Sequence, residues 1–126
     1  MRLIEHVNQN DTAIIMGLVT ALTVKQMPAQ TRTRARMRFK GRGFIGIGPV
    51  YAHYVYKGHS HKTVRVARTH GPCGVFSRRM RQFPFKHSPK VGTWMIQFDQ
   101  QPGFTPAPAI SARLTVKVNR AIHGKG

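Results

Sequence analysis

Between Thr31 and Arg42 the chain reads TRTRARMRFKGR, and every even position is basic: Arg32, Arg34, Arg36, Arg38, Lys40 and Arg42. Cations in a row do one kind of chemistry well. They neutralise a line of phosphates, and the arginine fork matches two phosphate oxygens at once. A β-strand turns successive side chains to opposite faces, so this spacing predicts a strand with all six cations on one side and Thr33, Ala35, Met37 and Phe39 on the other. On a helix the same residues would scatter around the cylinder in steps of about 200° and leave no clean face. A solvated edge strand that uses charge against aggregation would look similar. Six aligned cations with no acid opposite repel one another, however, and that favours an anionic partner.

A second basic cluster lies in SRRMRQFPFKHSPK, residues 77–90, with Arg78, Arg79, Arg81, Lys86 and Lys90 interleaved with Phe83 and Phe85. Basic residues beside aromatics suit nucleic acid, since cations hold the backbone while rings stack on unpaired bases. Other chemistries are poorly supplied. His59-x-His61 with His70-x-x-Cys73 offers four metal donors, but in a spacing that matches no common zinc pattern, so no metal is expected. Cys73 with His70 lacks a nearby group to orient the base for nucleophilic catalysis. Gly41, Gly43 and Gly46 spell G-x-G-x-x-G, yet Gly48-Pro49 blocks the helix that a dinucleotide site needs, and no acid lies between Asp11 and Asp99. These glycines instead permit a tight turn, a bulge or a close approach to a sugar-phosphate backbone.

Composition sharpens the exclusions. The 126 residues hold 21 Lys plus Arg against 3 Asp plus Glu, a formal net charge of +18. Glu5, Asp11 and Asp99 are too few and too scattered for paired-carboxylate catalysis or a carboxylate-held cation. No enzyme, cofactor or small-molecule substrate is expected. A single cysteine excludes an internal disulfide and suits a reducing compartment. The apolar run Thr12–Val24 is shorter than the roughly 20 residues of a spanning helix, and acids precede it where a secretory or transit peptide would avoid them. It reads as a strand with its continuation, or as a short buried helix, and no membrane role is expected.

The positioning elements follow from periodicity and turn residues. Val50–Lys57 is aromatic and β-branched, a strand; Lys57–Lys62 reads as a turn; Thr63–Arg68 as a strand; His70–Gly74 as a turn. The segment 77–90, with Pro84 and Pro89, reads as a basic loop. Thr93–Phe98 places Trp94, Ile96 and Phe98 on one core face, and 100–109 is a proline-rich crossing. Ile110–Asn119 alternates, with Ile110, Ala112, Leu114, Val116 and Val118 inward and Ser111, Arg113, Thr115, Lys117 and Asn119 outward. The expectation is an all-β protein: one small domain over 1–126, a closed or partly open β-barrel of about six strands, with extended basic loops and with 1–11 and 120–126 as extended termini.

The segment Tyr54-Val-Tyr-Lys57, followed by Val64-Arg-Val-Ala-Arg-Thr-His-Gly-Pro-Cys-Gly-Val75, resembles the eukaryotic and archaeal large-subunit ribosomal protein family L-thirty-five-Ae. That family has an aromatic strand of the type A-Y-I-Y-K and a signature of the type A-R-T-H-G-x-x-G-V-V-R-A-x-F. Ala67 to Gly71, Gly74 and Val75 match, and the resemblance covers about residues 50–98. The chain departs at Thr63-Val64-Arg65, where the family has Trp-Gly-Lys, and at Ser77 to Met80, where it has R-A-x-F. The resemblance implies a compact barrel in large-subunit rRNA without a catalytic role, with His70 and its glycines in a tight turn and Arg68 at the RNA-facing rim.

Together these readings predict a structural constituent of the large ribosomal subunit in the cytoplasm, with rRNA and neighbouring ribosomal proteins as partners. Its RNA contacts would be Arg32, Arg34, Arg36, Arg38, Lys40, Arg42, Lys57, Arg65, Arg68, His70, Arg78, Arg79, Arg81, Lys86 and Lys90. The alternative is a free OB-like module that binds RNA or DNA in regulation or packaging.

Overall fold

The computed structural model describes residues 12–15 and 18–120, and the termini expected over 1–11 and 120–126 lie outside them except for Arg120. Among the described residues there is no helix. The strands are β1 (Thr12–Ile15), β2 (Leu18–Ala21), β3 (Thr23–Met27), β4 (Arg36–Arg42), β5 (Pro49–Tyr56), β6 (His59–Arg68), β7 (Phe76–Arg81), β8 (Gly92–Asp99) and β9 (Ser111–Val118). β1 and β2 pair with each other as a hairpin. The other seven form two antiparallel sheets, ordered β3-β4-β7 and β6-β5-β8-β9.

Neither sheet closes into a barrel, so of the expected closed or partly open barrel only the all-β class with two antiparallel sheets is found. The sheet edges approach at two seams, β6 beside β7 and β3 beside β9, but no ladder of hydrogen bonds joins either pair. Arg78 bridges the first seam, where its Nη1 donates to the Val66 carbonyl at 2.9 Å. At the second seam the edges stand apart across a cleft of about 1300 Å³ lined by Val24, Lys25, Leu114 and Val116 among others.

The inner faces supply the core. Alternation on β4 buries Met37, Phe39 and Gly41 and exposes the cations between them. Phe39 meets Phe98 of the facing sheet edge-on, with ring centroids 5.0 Å apart. Trp94, Ile96 and Phe98 face inward as expected. Gly41 is required by packing, because a Cβ there would overlap the Phe76 ring.

Several sequence expectations need correction. The turn expected over Lys57–Lys62 is only Lys57-Gly58, both at positive φ (51° and 81°), as a two-residue type I′ hairpin demands. His59 to Lys62 therefore belong to β6. The loop expected over 77–90 is a strand as far as Arg81, since both prolines fall after it. Ser111 is buried, with its hydroxyl donating to the Pro108 carbonyl at 2.8 Å.

The outer face of the four-stranded sheet is not solvated throughout. The crossing from residue 100 to 110 packs across it through a buried polar network. His53 and Asp99 are both fully buried, with Nε2 donating to Oδ1 at 2.9 Å, and His53 Nδ1 lies 2.7 Å from Thr63 Oγ1. Gln97 donates to Asp99 and to the Thr105 carbonyl and accepts from the Ala107 N–H, while the Gln101 N–H donates to Asp99. The side-chain polar atoms of His53, Gln97 and Asp99 all meet partners, which is the condition for burying such groups at all.

Candidate nucleic-acid interface

The three-stranded sheet turns one face to the core and the other to solvent. On β4 the outward residues are Arg36, Arg38, Lys40 and Arg42, all exposed. The expected row of six is thus a row of four. Arg32 and Arg34 are exposed but lie in a turn, closed by the Ala35 N–H donating to the Arg32 carbonyl at 3.0 Å. β4 has neighbours on both sides only from Arg38 to Gly41, because β3 ends at Met27 opposite Arg38, and β7 runs from Phe76 opposite Gly41 to Arg81 opposite Arg36.

Neighbouring strands widen the row into a field. Arg38 stands directly opposite Arg79, and Arg36 opposite Arg81. On the other side Lys40 faces Lys25. Side chains so placed sit about 4.5–5.5 Å apart at Cβ, where like charges repel. On this face Arg38 donates from Nη1 to Ser77 Oγ at 2.7 Å. Among the described residues Asp99 is the sole acid, and it is buried against His53 on the other sheet. Seven cations therefore share one sheet face with no carboxylate of the described residues beside them. Lys25 was missed from sequence, although its signal was legible: Val24 is buried and Lys25 exposed in simple alternation.

The remaining expected contacts divide among other places. Arg78 is turned to the β6 seam rather than to the cationic field. Arg65 and Arg68 are exposed on β6, and Arg68 ends it. His70 is exposed and pairs with Val75 to close the turn implied by the ribosomal resemblance. Buried Thr69 ties that turn to the glycine passage: its hydroxyl donates to the Gly46 carbonyl at 2.9 Å and accepts from the Gly48 N–H at 3.0 Å. The Gly43 N–H donates to the Cys73 carbonyl at 2.7 Å. At these glycines the structure brings one protein loop against another. Lys86 and Lys90 lie on the loop after β7, and Lys57 Nζ sits 5.4 Å from the Tyr56 ring centre.

Metal chemistry finds no assembled donor set, as no group of three or more His, Cys, Asp or Glu lies together among the described residues. His59 and His61 are near the start of β6, while His70 and Cys73 lie beyond its far end. The aromatics form a third feature. Phe83, Phe85 and Tyr56 all contact Trp94, with centroids 4.8–5.5 Å away, and His61 joins them at 5.2 Å. His61 and Trp94 were not expected at a site. The chain matches no family model, no curated protein and no solved structure.

Proposed function

We propose that this protein is a structural constituent of the large ribosomal subunit that binds folded rRNA through the outer face of the three-stranded sheet. The observation that carries the reading is the field of Lys25, Arg36, Arg38, Lys40, Arg42, Arg79 and Arg81, which has no acid beside it among the described residues. A rigid sheet spaces these cations at strand intervals, so they engage a phosphate array without first losing much backbone freedom. Arg32, Arg34 and the rim residues Arg65, Arg68 and His70 extend the contact around the domain. In this reading the two sheets act as a partly open barrel, set among rRNA and neighbouring ribosomal proteins in the cytoplasm, with no catalytic role.

Sucrose-gradient fractionation of a lysate containing the tagged full chain tests this. The protein is expected in the large-subunit peak through a moderate salt wash. Recovery in the light fractions alone would overturn the ribosomal reading, and RNA bound there with a defined site size would support the free module instead.

A further inference from the structure

At the open end of the aromatic cluster is a cavity of about 300 Å³, bounded by His61, Phe85 and Trp94 and rimmed by Lys62, Lys86 and Lys90. It lies on the four-stranded sheet and the loop after β7, apart from the cationic face of the other sheet. Its size falls at the lower end of the roughly 300–1,000 Å³ of small-ligand sites. His61 and Phe85 each meet the Trp94 ring at 63°, so neither lies flat against the indole. Both retain ring surface outside the packed core, His61 being exposed and Phe85 half-buried.

The local backbone is built to hold this arrangement. Along the β5–β6 ladder Tyr54 faces Lys62 and Val55 faces Ser60, leaving His61 as the extra residue of a bulge. A bulge redirects a side chain out of strict alternation, and here the consecutive residues His61 and Lys62 both line the cavity. The opposite wall is pinned at its far end. Trp94 Nε1 donates to the Lys90 carbonyl at 2.8 Å, and the Tyr56 hydroxyl donates to the Val91 carbonyl at 2.9 Å. Phe83 anchors Phe85 from below, edge-on at 5.5 Å.

We propose that this cavity binds one unpaired nucleobase of a single-stranded RNA segment, stacked on His61 and Phe85, with Lys62, Lys86 and Lys90 on the adjoining phosphates. The ligand class rests on the RNA-binding reading, while the site is separate from the sheet face that carries it. Charge and shape select the ligand together. The rim is basic and the described lining residues include no acid, which fits a polyanion. The apolar walls are rings, which fit the π-face that every base offers.

Trp94 is the single tryptophan of the chain and lines the cavity, so its fluorescence reports on occupancy. The full chain is titrated with a single-stranded hexaribonucleotide, an abasic strand of the same length, a blunt RNA duplex and a polyglutamate peptide. The base-bearing strand is expected to quench Trp94, and the abasic strand and duplex to bind without quenching. His61→Ala with Phe85→Ala is expected to weaken the hexanucleotide by about 5- to 150-fold, the range for lost base stacking, and to leave duplex affinity unchanged. His61→Ala alone, at an exposed position, serves if the double variant folds poorly. Equal quenching by the abasic strand or by polyglutamate, or indifference to both variants, would overturn the proposal. Duplex binding without any effect of the single strand would remove the pocket and leave the cationic face standing. Failure of every RNA would remove both.

Discussion

Single residues in this protein act mainly through what their backbone must do. Gly71 and Gly74 both have positive φ, at 75° and 56°, within the same turn. A Cβ at Gly71 would meet open space, whereas at Gly74 it would run into the Phe44 backbone. Gly71→Ala is therefore expected to cost about 1–2 kcal/mol of left-handed strain, and Gly74→Ala clearly more, because the glycine loop must also move away. Denaturant unfolding of the two variants checks the ordering, and equal losses would mean that the approach of the two loops contributes little. Asp99 is a different case, being the acceptor for His53, Gln97 and the Gln101 N–H at once. Asp99→Ala leaves those donors unmatched beside buried His53 and Gln97, with an expected loss of about 3 kcal/mol or more. Hydrogen exchange should quicken at the Gln101 and Ala107 amides, whose acceptors belong to this network. Sequence marked Asp99 only as one of three acids and placed no function on Gln97 or His53. Nothing local tells a reader that the crossing of residues 100–110 lies over them.

Among the strands, legibility tracked how completely alternation was enforced by burial. β8, and β9 apart from Ser111, follow their sequence pattern because the facing sheet needs their apolar side. β4 was legible only in part. Its basic period of two continues back to Arg32, yet a strand exists only where neighbours supply hydrogen bonds, and both neighbours end before that point. β7 was missed because Pro84 and Pro89 weighed on the whole segment, although proline restricts only its own position and the one before it. The missed strand matters for function, since it carries Arg79 and Arg81 to the flank of β4. If β4 works as one element on a phosphate array, Arg38→Ser with Lys40→Ser should weaken RNA binding uniformly across sequences. It should also reduce the slope of log K against log salt by about 2, one unit for each lost phosphate contact. The same pair of changes at Arg78 and Arg113, one turned to the seam and one on the other sheet, should move that slope less. Filter binding over a salt series reads both.

Over the whole molecule, the +18 charge becomes an argument about stability once its placement is known. Salt usually weakens surface attraction between opposite charges, but among the described residues the one acid, Asp99, is fully buried and hydrogen-bonded to His53, away from this face. Direct cross-strand neighbours on the cationic face are Lys25 with Lys40, Arg38 with Arg79 and Arg36 with Arg81, so screening there relieves repulsion and removes no attraction. The melting temperature of the isolated protein is accordingly expected to rise with ionic strength. Sodium chloride is the right salt for the measurement, because sulfate stabilises by exclusion from the surface whatever the charge pattern. Polyphosphate at matched ionic strength should raise the midpoint further, since a ligand that binds the folded face and not the unfolded chain adds stability by mass action. A midpoint that falls with sodium chloride would mean that attractions outside this face dominate. A midpoint that rises with salt but ignores polyphosphate would mean that the cations are screened without being organised to bind. The Arg38→Ser and Lys40→Ser variant separates these outcomes: with two cations removed from the centre of the field, it should melt higher than the parent at low salt and gain less from either addition.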